Sequence, residues 1–108
     1  MRHCALLKTA AGTALLLALA TPAAAADEAR ALNQINSLGC KGCHSLKGEG
    51  GTLAPALDGV GKRLGKEQIQ TQLLDPKKKN PRTMMPSYAK QLSPADLKNL
   101  VDYLAGLK

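Results

Sequence analysis

Apolar positions along the chain fall into three stretches with helical spacing. Over residues 28–38, Ala31, Leu32, Ile35 and Leu38 share one helical face, and Gly39 is placed to end the helix. Over 66–74 the apolar pair is Ile69 and Leu73. Asp75-Pro76 closes that run, because a residue before proline avoids the helical region. Over 94–106, Leu97, Leu100, Val101 and Leu104 follow the i, i+3, i+4, i+7 pattern. Ser93 is a good N-cap, Pro94 fits the first helical position and Asp96 lies in the first turn. Residues 47–61 and 76–91 are rich in Gly and Pro and read as loops. They are long for a domain this small unless something inside organises them. No internal repeat or linker interrupts the pattern.

One further apolar stretch has a different meaning. Arg2 and Lys8 precede an apolar run over 9–20 built on Leu15, Leu16, Leu17 and Leu19; Pro22 and four alanines, Ala23 to Ala26, follow. This is the layout of a secretory signal peptide cleaved after Ala26. The run is too short to serve comfortably as a membrane anchor. Residues 1–26 are therefore read as a leader and 27–108 as a single exported domain, with the bacterial periplasm as its destination and no stable membrane insertion. Cys4 leaves with the leader, and the loss of Arg2 and Lys8 reduces the formal net charge from +7 to +5.

Composition sharpens the fold class. The 108 residues include no Phe and no Trp; Tyr88 and Tyr103 are the aromatics. The β-branched aliphatics are limited to Ile35, Val60, Ile69 and Val101. Strands favour those residue types, so the chain is expected to be all-α. A small domain with so few large side chains needs a staple: a disulfide, a metal or a cofactor.

Cys40-Lys41-Gly42-Cys43-His44 supplies one. C-x-x-C-H is the attachment signature of c-type haem. Two thiols three residues apart on a tight turn can bond to the two vinyl groups on one porphyrin edge, and the following His is carried under the ring toward the iron. The tether keeps that imidazole at high local concentration. A dithiol redox motif would need a βαβ setting that this composition cannot build. A structural zinc site needs four ligands, and 27–108 offers Cys40, Cys43 and His44. A plain disulfide explains neither His44 nor the sparse core. A second axial ligand is sought in Met84 and Met85, the methionines of 27–108, both in a polar loop flanked by Pro81 and Pro86. A thioether is a soft neutral ligand that favours reduced iron. The alternative, a methionine filling a core gap, fits such a loop poorly.

On these residues the chain resembles the small class I cytochromes c, and the resemblance covers nearly all of 27–108. It implies about three main helices with long loops wrapped around one covalent haem c, attached through Cys40 and Cys43. Leu53-Ala54-Pro55-Ala56-Leu57 is similar to the family's G-P-x-L stretch, which implies that the Pro55 carbonyl accepts from the far nitrogen of His44. Val60-Gly61-Lys62-Arg63 resembles V-G-x-R and gives Arg63 a haem propionate. Met85-Pro86 matches the family's Met-Pro and selects Met85 over Met84, while Tyr88 falls where an aromatic often covers the haem edge. The segment 100–104 is similar to the closing helix, whose aromatic packs on the first helix. Two positions depart from the family pattern. Gln68 stands where related sequences often carry Trp, and Ile35 stands where an aromatic is expected to meet Tyr103.

Two protein ligands leave iron no open position, so the expected role is one-electron transfer between redox proteins and not catalysis. The alternatives are a dedicated haem subunit of a periplasmic dehydrogenase and, more remotely, a ligand-sensing haem protein. The protein is expected to be a monomer. Its positive charge suits partners with acidic docking surfaces. Lys77-Lys78-Lys79 and Arg82 either rim the haem face or form a solvated basic loop. Nucleic acid is excluded by export and by the lack of a basic helix or stacking aromatics.

Overall fold

Asp27 starts the first helix, α1 (Glu28–Ser37), by accepting a hydrogen bond on its side chain from the Arg30 amide at 3.0 Å. The computed structural model describes residues 11–16 and 26–108. Apart from 11–16, which carry no regular structure, and Ala26, the expected leader lies outside the described residues. Leu38 caps α1, and Gly39 follows in the left-handed region with φ of 74°. A 3-10 turn, Cys40–Gly42, leads into a two-stranded antiparallel hairpin of β1 (Ser45–Leu46) and β2 (Glu49–Gly50). One helical turn, α2 (Val60–Arg63), precedes α3 (Lys66–Leu74). A second 3-10 turn, Pro76–Lys78, and an extended loop then reach α4 (Pro94–Ala105).

The three long helices lie where the apolar spacing puts them. Ser93 caps α4 by accepting from the Asp96 amide at 3.2 Å, with Pro94 in the first turn. α3 stops at Asp75, whose φ of −143° and ψ of 70° are not helical. The hairpin and the single turn α2 overlap the two ends of the segment 47–61 read as loop. Each is too short to carry a hydrophobic period.

The core forms where α1, α2 and α3 pack against α4. Ala31 and Ile35 from α1 meet Leu100, Val101, Tyr103 and Leu104 from α4, with Ile69 and Leu73 from α3 and Leu46, Tyr88 and Leu92 from the connecting segments. Ala31 and Leu100 are fully buried. Polar groups lock the same crossing: the Asp27 amide donates to Asn99 Oδ1 at 2.8 Å, and Asn99 Nδ2 donates to the Asp27 carbonyl at 3.0 Å. Arg30 and Asp96 pair beside them.

Gly61 fixes α2 against the end of α4. Its amide donates to the Leu107 carbonyl at 2.8 Å, and a Cβ at this position would lie 2.0 Å from the Ala105 carbonyl oxygen. The two backbones touch, and only glycine fits between them. No helix among the described residues is long and apolar enough to cross a membrane.

Candidate functional site

The turn carrying Cys40 and Cys43 closes on itself. The His44 amide donates to the Cys40 carbonyl at 3.0 Å, and the Cys43 amide reaches the same oxygen at 3.3 Å. The hairpin presses on this turn from outside. The Gly51 amide donates to the Lys41 carbonyl at 2.8 Å, and the Ala54 amide donates to the Cys43 carbonyl at 3.0 Å. Gly50 makes the approach possible. It has φ of 118°, and a Cβ on it would meet the His44 carbonyl oxygen at 2.5 Å.

No disulfide joins the two cysteines; Cys40 is half-buried and Cys43 exposed. Burial pushes the Cys40 thiol above its ordinary value, while a backbone hydrogen bond and the neighbouring Tyr88 hydroxyl act in the opposite direction. Tyr88 is itself raised, chiefly by burial and then by its proximity to Cys40.

His44 follows on the inner side of the turn. Its Nδ1 lies 2.6 Å from the Pro55 carbonyl oxygen. A carbonyl only accepts, so Nδ1 carries the proton and donates, and Nε2 is left with its lone pair for a metal. His44 and Pro55 line a cavity of about 660 Å³, within the roughly 300–1,000 Å³ that organic ligands and cofactors occupy. Leu57, Val60, Leu64, Ile69, Leu73 and Leu104 give it an apolar wall. Arg63 and Met85 line the same cavity.

The structure thus brings His44, Pro55, Arg63 and Met85 together and leaves Met84 outside. Met84 is 91% exposed. Tyr88 is buried in the core beside Cys40 and is absent from the cavity wall. Arg63 holds the loop ahead of it: Nη2 donates to the Ala56 carbonyl at 2.8 Å and Nη1 to the Asp58 carbonyl at 3.2 Å. Gln68 accepts on Oε1 from the Gly65 amide at 3.0 Å and so closes the start of α3.

The Met85 loop is stitched to the last turn of α3. The Tyr88 amide donates to the Leu73 carbonyl at 2.9 Å, and Ser87 Oγ donates to the Leu74 carbonyl at 2.6 Å. Gln72 Nε2 donates to Met85 Sδ at 3.3 Å.

Lys79, from the basic run noted in the sequence, also lines the cavity, as do Gln72, Asn80 and Thr83, which were not singled out there. Gln72 could have been found from its place in the helix. It lies three residues after Ile69 and next to Leu73, on the buried stripe of α3.

These residues fit a covalently held haem. Two thiols sit on one turn, an imidazole is oriented with one nitrogen free, and a thioether lines the apolar cavity that the imidazole also lines. Searches of curated proteins and of solved structures give no match. The family model described as Cytochrome c matches residues 26–108. With its mostly helical fold and its C-x-x-C-H turn at Cys40 to His44, the chain belongs to the cytochrome c family, whose members bind haem and carry electrons.

Proposed function

We propose that this protein is a periplasmic one-electron carrier with His/Met ligation. In this reading Cys40 and Cys43 would hold one haem c through thioether bonds, and His44 and Met85 would be the protein ligands to its iron. The bound haem supplies one-electron chemistry at iron. The residues of the chain do the remaining work. Pro55 holds the His44 ring through Nδ1 and so strengthens Nε2 as a donor. Met85 offers a neutral sulfur that favours the reduced state. Because His44 and Met85 would both be held by the fold, binding iron through them would leave little to rearrange when an electron is gained or lost. Arg63 spends two N–H groups on backbone carbonyls and keeps others for a propionate. Tyr88 stands beside Cys40 and would abut the porphyrin edge attached there.

Supporting the partner side of the reading, Lys79 lines the cavity and Lys77, Lys78 and Arg82 are exposed around it in sequence. This basic rim suits a brief encounter with an acidic redox partner, faster at low salt. The leader pattern over 1–26 supports export.

One observation carries the proposal: His44, its ring already oriented by Pro55, and Met85 line one apolar cavity. Periplasmic expression should yield a red protein whose reduced-minus-oxidised spectrum is that of a low-spin c-type cytochrome. Its intact mass should report one covalent haem and a start at residue 27. Met85→Ala should convert it to a form that binds carbon monoxide or cyanide readily. A colourless secreted product with free or mutually paired thiols would overturn the reading.

A further inference from the structure

We propose that the Ala26–Asp27 peptide bond is a processing site that folding closes, so that the leader is removed before α1 docks on α4, and that Asn99 receives the amino terminus the cut creates. The proposal rests on the reading of 1–26 as a leader. The nitrogen of this bond is the Asp27 amide, which donates to Asn99 Oδ1 at 2.8 Å. The Asp27 carbonyl accepts from Asn99 Nδ2 at 3.0 Å and from the Ala31 amide at 3.0 Å. The Asp27 side chain accepts from the Arg30 amide. On the other side of the bond, Ala26 is half-buried and packs against the hydrophobic core.

An extended peptide is gripped by a partner through its main-chain N–H and C=O groups. Here those of Asp27 are already taken, and from Glu28 onward the chain is helical. Asn99 lies 72 positions further along, on α4, so the grip exists only once α1 and α4 have met. In an unfolded chain the bond is open to a peptidase. In the folded domain it is reached only in molecules whose first α1 turn has lifted from α4. A domain this small is expected to need its haem to fold, so haem loading is the event that shuts the site.

The step is a hydrolysis without redox change. The C–N bond between Ala26 and Asp27 breaks. The oxygen of one water ends on the new Ala26 carboxylate, and both its hydrogens end on the Asp27 nitrogen, which becomes an ammonium at neutral pH. That nitrogen still has a hydrogen for Asn99 Oδ1. Its positive charge falls at the unfavourable end of α1, where Asn99 Oδ1 and the Asp27 carboxylate offset it.

The test uses the full chain with its leader, accumulated while leader removal is blocked in the cell. It is prepared haem-loaded and, with Cys40→Ala and Cys43→Ala, haem-free. Purified bacterial signal peptidase is added in mild detergent, and the product is identified by intact mass. The haem-free chain should be cut to a product starting at Asp27. The haem-loaded chain should give that product more slowly, by about tenfold or more. Asn99→Ala should speed cleavage of the haem-loaded chain several-fold and leave the haem-free chain unchanged, which separates the grip on the bond from recognition by the peptidase. Asn99→Asp keeps an acceptor for the Asp27 amide and loses the donor. It should fall between the two, and it replaces Asn99→Ala if that variant fails to load haem. Ser93→Ala weakens α4 without touching Asp27 and should leave the rate near wild type.

Equal rates for the haem-loaded and haem-free chains would overturn the protection. Slow cleavage that neither Asn99 change relieves, or that Ser93→Ala relieves as well as Asn99→Ala does, would overturn the part given to Asn99. If the haem-free chain is not cut, or is cut at another bond, the leader reading itself fails and takes this proposal with it.

Discussion

The two halves of this small domain are built on different principles. Where α1 crosses α4, aliphatic side chains interlock, flanked by the Asp27–Asn99 and Arg30–Asp96 contacts; Ala31, Ile35 and Leu100 are at most 1% exposed. Around His44 and Met85, the chain is mostly loop, and its apolar side chains enclose a cavity of about 660 Å³. The first half is stabilised by side-chain burial. The second is shaped by backbone contacts such as Gly61 on α4 and Gly50 on the C-x-x-C-H turn, and its cavity is of a size to take a large apolar guest. A domain of this size with two tyrosines as its aromatics cannot rely on the first half alone.

The largest expected effect tests that division directly. Protein made without haem, or with Cys40 and Cys43 both changed to Ala, should be largely unfolded, with weak far-ultraviolet helicity and no cooperative thermal transition. Native-like helicity that melts cooperatively would mean that the α1–α4 half folds unaided and that the comparison is drawn in the wrong place.

The next effect separates backbone contact from side-chain burial within the holo-protein. Gly61→Ala places a methyl against the Ala105 carbonyl, where a main-chain atom cannot give way cheaply. The loss should be about 2–3 kcal/mol, as for an overpacked core site, read by denaturant unfolding followed at the haem band. Relief by a shift of α2 should also move the potential, since Val60 and Arg63 on the same turn line the cavity.

The same division explains how much was legible in the sequence. Leu97, Leu100, Val101 and Leu104 announce α4 because a buried helical stripe has a period, and Ser93 and Pro94 mark its start. The C-x-x-C-H turn is legible because its chemistry demands fixed spacing. The hairpin at 45–50 and the turn at 60–63 have no period to read. They exist because glycine permits close approach and because amides at Gly51, Ala54 and Leu57 find carbonyls at Lys41, Cys43 and Ser45. Gln72 was hidden for a related reason. A helical glutamine looks like a surface residue until the fold brings a sulfur within 3.3 Å. Gln68 shows the reverse: at a position where related sequences often carry Trp, its side chain closes the start of α3.

A smaller effect is expected at the start of α4. Ser93→Ala removes the acceptor for the Asp96 amide. It should cost about 1 kcal/mol, the usual worth of such a cap, and leave the visible spectrum unchanged. A spectral change would show that the two halves are more tightly coupled than their packing indicates.

The smallest effect lies at Asp102, which ties α3 to α4. Its carboxylate meets Lys66 Nζ at 2.9 Å and Lys98 Nζ at 2.6 Å. The hydrogen bond from Lys98, then that from Lys66, holds Asp102 below its ordinary value of 3.8. A carboxyl whose value is depressed by folding stabilises the folded state above its unfolded value. It loses that contribution as pH falls through the folded value. Asp102→Asn should therefore be slightly less stable than wild type at pH 7, by about 0.5 kcal/mol or less, because both lysines are largely exposed. The gap should close as pH drops below 3.8 and should shrink with added salt at neutral pH. Paired thermal melts at pH 7 and pH 3, with and without salt, measure it. A gap that persists at low pH would mean that Asp102 acts through packing and not through charge, which would extend the side-chain-driven half of the molecule to the junction with α3.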